Sequence, residues 1–451
     1  TILPAIYSSL LNMDATWVLK ILYPLIFSFA PLALYQLWQK NLGEKRAFIA
    51  TFLFMAQYTF YTEMLGLNRQ MIGELFFVLL LLVVLSKEMK PFNKIMCFII
   101  FSVALVSSHY ALAEIFLLFI SLTWISLVAM KRPSRNITVT IIIFFFVVMF
   151  SWYLYTSNAA VFDNLVSFGN YVYDQLDQFF NPAARGQTVL RGLGMEASPT
   201  IWNTFSRTFA YLTEFLIVVG FIGLVSKPKN IHLETEYLMF AVMAMAFLVA
   251  LIAVPGLAET MNMTRFYHIL LFFLAPFCVI GAEVIVRLVS KRERQLGVSI
   301  LMLIVLVPYF LFQTNFVYEV TGSDSWSLPL SKYRMSALRY GTLGYIDGYS
   351  VFGARWLSKN VDVEHTQIYA DIISRDFALT IYGMICRGYV ETPTNTTRMV
   401  TNGTLYLGQL NVVEGKIVDI YHHWNFSELS ISFNDLNKIY SNGGSEVYRS
   451  T

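Results

Sequence analysis

Charge is scarce in this sequence. Only 14% of its 451 residues are Asp, Glu, Lys or Arg, and the net charge is +3. That balance gives no whole-molecule attraction to nucleic acid, so no nucleic-acid partner is expected. Cysteine is nearly missing as well. Cys97 and Cys278 fall in apolar runs, and Cys386 stands alone in a polar region, which leaves nothing for a disulfide framework. No Walker A loop, HExxH helix, CxxC pair or G-x-S-x-G elbow occurs, so ATPase and simple hydrolase readings have no support. Nor is there a charged n-region followed by an apolar h-region and a small-residue cleavage site. The chain opens on Thr1, which reads as a cut or processed end with elements missing upstream.

Apolar residues are abundant. Hydrophobic residues make up 56% of the chain and aromatics 16%, and the mean hydropathy is +0.57. No soluble domain needs that much apolar surface, so the fold class is an α-helical polytopic membrane protein. Runs long enough to span lie at 17–39, 47–62, 70–86, 94–110, 111–130, 137–156, 208–226, 237–255, 265–288 and 296–316, about ten spans in all. The loops between them divide by charge. KNLGEKR, SKEMKPFNK, KRPSR, KPKN and RLVSKRER hold fifteen Lys and Arg, whereas the alternate loops hold five. The positive-inside bias puts the first set in the cytoplasm and both chain ends outside, in a multi-pass cell-membrane protein. Trp17, Trp38, Trp124, Trp152 and Trp202 fall near span ends and suit an aromatic belt.

The transmembrane domain is expected over 1–316. Within it, residues 161–180 place apolar side chains on one helical face and Asp and Asn on the other. This predicts a helix lying in the outer interface. It lacks the Lys and Arg of a surface-binding helix, so packing on protein is expected too. After residue 316 charge, Gly and Asn return, and 317–451 reads as a small extracytoplasmic α/β or α+β domain. TQIYAD, RGYVET and TLYLGQLNVVEGKIVDI carry strand formers. VFGARWLSKN and SFNDLNKIYSNGG read as helices, the second stopped by Asn-Gly-Gly. Sequons at Asn262, Asn395, Asn402 and Asn425 lie on the outer side, and that at Asn136 on the cytoplasmic side.

Five groups of polar residues map to the outer side. They are Glu63, Asn68 and Arg69; His109 and Glu114; Glu259, Arg265, Tyr267 and His268; Arg185 and Arg191; and Asp14. Convergence on one face is the informative feature. Arginine offers a planar fork for phosphate oxygens. A carboxylate serves as a general base or metal ligand, and histidine binds metal or phosphate or orients an acid. Plainer readings stand beside these. Arg69 and Arg265 fit snorkelling to headgroups, His109 fits helix packing, and Glu63 and Glu259 fit exposed loops. Glu114 lies one turn inside a span, where acids face a cavity or a partner.

TILPAIYSSLLNMDATWVLKILYPLIFSFAPLALYQLWQK and NRQMIGELFFVLLLLVVLSKE resemble the second-span region and the Arg-led helix of GT-C-fold membrane glycosyltransferases. SSHYALAE, MNMTRFYHILLFFLAPF and NKIYSNGGSEVYRS are similar to a group of archaeal multispan membrane proteins placed near those enzymes. The resemblance implies inverting transfer of a sugar from a polyprenyl (dolichyl) phosphate to an outer glycan or protein acceptor. Membrane lipids are the further partners, with Mg2+ or Mn2+ as an optional cofactor. It makes Arg265 the match to the phosphate-binding arginine of a late span, with Arg69, His109, His268 and Arg191 as further substrate-binding candidates. Glu114, Glu63 and Glu259 become the catalytic candidates. GT-C enzymes place an acid in their first outer loop, which here would precede Thr1. Two alternatives stay open: a non-catalytic scaffold or envelope-assembly subunit on the same fold, and a lipid or polymer transporter.

Overall fold

The computed structural model describes residues 2–158, 160–225, 233–289, 294–323, 346–419 and 423–450. The chain divides into two compact units, Thr1–Trp326 and Ser327–Thr451, so the division comes later than the composition change at 316. The loop KPKN and residues 290–293 of RLVSKRER lie outside the described residues.

The first unit is helical throughout. After a short α1 (Ile2–Leu11) come α2 (Ala15–Leu42), α3 (Glu44–Met55) and α4 (Tyr58–Tyr61). Then follow α5 (Asn68–Leu85), α6 (Pro91–Ser108), α7 (Tyr110–Ala129), α8 (Val139–Ser157) and α9 (Ala160–Gln175). The unit continues with α10 (Gln187–Gly192), α11 (Ile201–Val225), α12 (Thr235–Ala253), α13 (Leu257–Thr260), α14 (Met263–Val289), α15 (Arg294–Gln313) and α16 (Phe316–Thr321). Among the described residues nine helices are long and apolar enough to cross a membrane. The tenth expected span, 47–62, is broken. Helix α3 stops at Met55, Gln57 is extended with ψ 135, and α4 restarts the turn. A break at membrane depth is tolerable only inside protein. Accordingly Gln57 and Thr59 are buried, and Gln57 bonds the Tyr309 hydroxyl.

Lipid is as apolar as leucine, so close packing and satisfied backbone groups must hold such helices together. Helix α14 is the axis of the bundle. Of its apolar window 83% is buried, against 17% for the peripheral α8. It meets α11 where two glycines face each other. A Cβ on Gly220 would come 2.0 Å from the Phe277 carbonyl oxygen, and one on Gly281 would come 1.9 Å from that of Leu216. Pro276, inside α14, removes the donor that would serve the Phe272 carbonyl. The buried Tyr237 hydroxyl from α12 lies 3.5 Å from that oxygen and donates to Phe273 O at 3.0 Å.

The two sets of loops segregate to opposite ends. At the basic end Lys40 meets Glu88 at 2.8 Å and Lys87 meets Glu234 at 3.1 Å. There too Lys94 donates to Asn136 at 2.8 Å, Ser134 to Glu236 at 2.7 Å, and Arg46 to Glu283 at 2.5 Å. At the other end Thr264 donates to Glu63 at 3.0 Å, Arg69 to Ser108 O at 3.4 Å, and Gly256 N to Ala184 O at 2.9 Å. Helix α9 occupies the stretch expected to lie in the interface. It packs Phe162 against Phe150 at 5.3 Å and sets Tyr171 beside Gly256, so protein covers part of it.

The second unit is a small α+β fold. Its strands are β1 (Ile368–Tyr369), β2 (Val390–Glu391), β3 (Thr404–Leu407), β4 (Lys416–Val418), β5 (His423–Asn425), β6 (Leu436–Ser441) and β7 (Glu446–Ser450). One sheet has the order β2-β1-β3-β7-β6, with β1 parallel to β2 and β3 and the rest antiparallel, while β4 and β5 pair separately. Helix α17 (Gly348–Asn360) starts where Asp347 accepts from Ser350 N at 2.9 Å. It shares a core of Ala354, Leu357, Ile368, Leu379, Tyr406 and Val447. SFNDLNKIYSNGG, expected to be helical, is instead a single 3-10 turn (Phe433–Asp435) followed by strand β6. Its Asn-Gly-Gly is a hairpin turn into β7, with Gly443 at φ +87 and Asn442 Oδ1 accepting from Ser445 N at 2.7 Å.

Candidate functional site

The end opposite the basic loops carries most of the expected residues. Helix α5 opens there with Asn68, Arg69 and Gln70, and α6 hands over to α7 at His109. His109 has an extended backbone, and its Nδ1 accepts from Leu112 N at 3.4 Å, which caps α7. Gly73 lets that cap come close, since a Cβ there would lie 2.9 Å from His109 Cβ and 2.8 Å from Leu112 Cδ1. Arg69 donates to the last carbonyl of α6, Ser108 O.

Arg69 and Arg265 both act on His109. Burial first, then these two guanidinium groups, push its imidazole down to about 4. His109 is therefore neutral at pH 7. With Nδ1 accepting, Nε2 carries the proton and is a donor. Arg265, in the first turn of α14, lies 3.7 Å from Glu63, yet its Nε is buried with no hydrogen-bond partner. Glu63 takes Thr264 Oγ1 at 3.0 Å on each oxygen.

Glu114 stands on the next turn of α7, half-buried. Its Oε1 is buried and has no hydrogen-bond partner. Tyr153 of α8 lies within electrostatic reach of Glu114, Arg69 and Tyr110, and its hydroxyl donates to Val106 O at 2.7 Å. Arg69, His109, Glu114, Arg265 and Glu63 thus share one neighbourhood, with two cations, one neutral donor and one unpartnered carboxylate oxygen.

The remaining expected residues lie elsewhere. His268 is fully buried inside the bundle, stacked on Phe54 at 4.4 Å. Its Nε2 lies 3.3 Å from Glu74 Oε2, both side chains having no exposure, and Gln70 donates to the other Glu74 oxygen at 3.0 Å. Glu259 packs beside Gly186, which caps α10. Arg191 pairs with Glu196 at 3.0 Å and lines a cavity of about 300 Å3 with Arg207, Tyr211, Glu214, Gln313 and Met263. Arg185 donates to Phe179 O at 2.9 Å. Asp14 caps α2 by accepting from Thr16 N at 2.8 Å, and those bonds lower its carboxyl below the usual range.

Reasoning from the sequence passed over Glu74 and Glu214. Both are acids in the interior of predicted spans, which is the signal that would have found them. Two larger cavities occur: one of about 530 Å3 at the basic end beside Arg46, Glu283 and Arg287, and one of about 610 Å3 in the second unit beside Tyr349, Trp356 and Tyr440. Among the described residues no three His, Cys, Asp or Glu side chains group to hold a metal ion. Asn262, with φ +55, accepts from Thr264 Oγ1 at 2.9 Å. Asn395 and Asn402 lie in turns of the second unit and Asn425 ends β5.

Residues 94–448 match the family described as Predicted membrane protein (DUF2206), and the chain belongs to that family. No curated protein matches it.

Proposed function

We propose that this DUF2206 membrane protein transfers a sugar from a polyprenyl (dolichyl) phosphate to a hydroxyl of a glycan or protein on the outer face, with the second unit on that face. The observation that carries the reading is that Arg69 and Arg265 both act on neutral His109, while Tyr153 links Arg69 to Glu114, whose buried oxygen is unpartnered. Two guanidinium groups near the bilayer rim suit a lipid phosphate, which arrives at that depth. A half-buried carboxylate with no partner suits the removal of a proton.

The transfer is a single displacement. The acceptor oxygen bonds to C1 of the sugar, and its proton passes to Glu114. The bond from C1 to the phosphate oxygen breaks, and the phosphate keeps the electron pair. Arg69 and Arg265 counter the growing charge on the leaving phosphate, and His109 Nε2–H donates to one of its oxygens. Glu63 holds Arg265 in place and is a positioning residue. A divalent cation, Mg2+ or Mn2+, would arrive on the donor phosphate, because these residues form no ligand set of their own.

The test uses the full chain in proteoliposomes with labelled dolichyl-phosphate sugars. Turnover is expected, with loss in Arg265→Ala and a fall of about 10²–10⁴-fold in Glu114→Gln. Unchanged turnover in either variant removes that residue from the site. Donor binding by the wild-type chain without transfer would favour the scaffold reading.

A further inference from the structure

The cavity beneath α10 is separate from the Arg69–Arg265 neighbourhood, and its lining has a different character. Its one carboxylate is Glu214, an exposed acid among apolar neighbours in α11. Its carboxylate is open to the cavity and makes no hydrogen bond or ion pair among the described residues. An acid within an apolar span without a partner asks for one from outside the chain. Around it stand Arg207, whose Nη2 donates to Glu196 O at 3.0 Å, and Arg191, paired with Glu196. Gln313 adds an amide, and the ring of Tyr211 is fixed by its hydroxyl bond to Gly192 O at 2.6 Å.

The charges nearly cancel. Arg191 is already paired with Glu196, and Arg207 shares the lining with Glu214, so a dianionic phosphate gains little here and a cation is opposed by the guanidinium groups. The lining instead offers acceptors and donors side by side without net charge, beside an aromatic ring. Vicinal hydroxyl groups of a sugar meet that pattern. A carboxylate accepts two of them, and arginine and amide groups donate to their oxygens. The volume, about 300 Å3, admits one ring with some water.

We propose that this cavity binds an uncharged sugar ring through Glu214, Arg207 and Gln313. The first turn of α14 borders both places, because Met263 lines the cavity while Thr264 and Arg265 engage Glu63. The bound ring would therefore be the terminal sugar of the acceptor, an assignment that rests on the glycosyl-transfer reading. The binding itself does not.

Ligand-observed NMR on the full chain in nanodiscs tests this, with methyl glycosides of hexoses and N-acetylhexosamines as probes and inorganic phosphate as the control. Saturable binding of at least one glycoside is expected, weakened tenfold or more by Glu214→Ala and by Gln313→Ala, with no response to phosphate. Glu214→Gln, which keeps the shape of the side chain, should retain part of the binding, and thermal unfolding should show each variant to be folded. Failure of every glycoside to saturate, binding unaffected by Glu214→Ala, or preferential binding of phosphate would each overturn the proposal. Donor turnover, read separately with Arg265→Ala, reports on the transfer reaction, so the two can fail independently.

Discussion

The contact of Gly220 with Gly281 permits a quantitative prediction. In Gly281→Ala the new Cβ would lie 1.9 Å from the Leu216 carbonyl oxygen and 2.9 Å from Gly220 N. Ordinary contact begins near 3.4 Å, so the helices must part by roughly 1.5 Å at this point. The obstructing atoms are backbone and cannot rotate away. A gap of 0.5–1 Å already forfeits about a quarter to a half of each dispersion contact. The cost should therefore reach the upper part of the overpacking range, about 3 kcal/mol. Gly220→Ala should cost a similar amount, because its Cβ would meet the Phe277 oxygen at 2.0 Å. Both substitutions act on one separation. Once the helices have parted for the first methyl, the second has room, so the double variant should cost much less than the sum. Equilibrium unfolding in mixed micelles measures this, with wild type and both single variants as references. A wild-type free energy for Gly281→Ala, or strict additivity in the double variant, would refute the reasoning.

Four other outcomes are expected. His109 titrates at about 4 in the folded chain, below its ordinary 6.5. The unfolded chain takes up the proton first, so stability should be constant above that window and fall as pH drops through it, by up to about 1.4 kcal/mol per pH unit. Thermal unfolding at pH 7 and pH 5 should show a smaller loss in His109→Gln. In the second unit, Asp371 accepts from Ser374 N and from Asn411 Nδ2, each at 2.7 Å. Asp371→Ala takes the side-chain acceptor from Ser374 N and leaves Asn411 Nδ2 only Lys416 O, at 2.9 Å, and should cost roughly 1–3 kcal/mol, seen as melting of this unit while the far-ultraviolet signal of the spans persists. Glu74→Gln and His268→Gln should be non-additive by about 0.5–3 kcal/mol in a double-mutant cycle, and additivity would mean that the buried pair is not coupled. Gly73→Val should displace the α7 cap and depress donor binding in the same nanodisc preparation, a result that unchanged affinity would exclude.

Much of this architecture was legible because the bilayer imposes a coarse rule. Long apolar runs separated by alternating basic and non-basic loops fix which ends meet, and the pair Lys40–Glu88 joins two loops that charge had already grouped. The convergence of Arg69, His109 and Arg265 followed from sidedness alone. What failed depended on local backbone or on depth. The break after Met55 leaves hydropathy unaltered and shows only in the extended conformation of Gln57. Asn-Gly-Gly serves equally as a helix stop and as a hairpin turn, and partner strand β7 decided between them. His268 sits one helical turn below Arg265, too short a distance in sequence to tell the rim from the interior. Glu214 carries no signal beyond an acid inside an apolar run, and the cavity beside it gives that position its meaning.

The tie between Arg46 and Glu283 also bears on how the chain is made. Its partners are 237 residues apart, which at translation rates of about 5–20 residues per second means a wait of roughly 12–50 seconds. For that interval Arg46 lacks the acid it finally pairs with, and Glu44 is the only carboxylate in its own turn. A ribosome-bound intermediate thus displays a basic turn not yet latched, able to engage anionic headgroups. Closure by the late acid would then latch the first hairpin to the central helix, making the finished bundle harder to extract than any of its precursors.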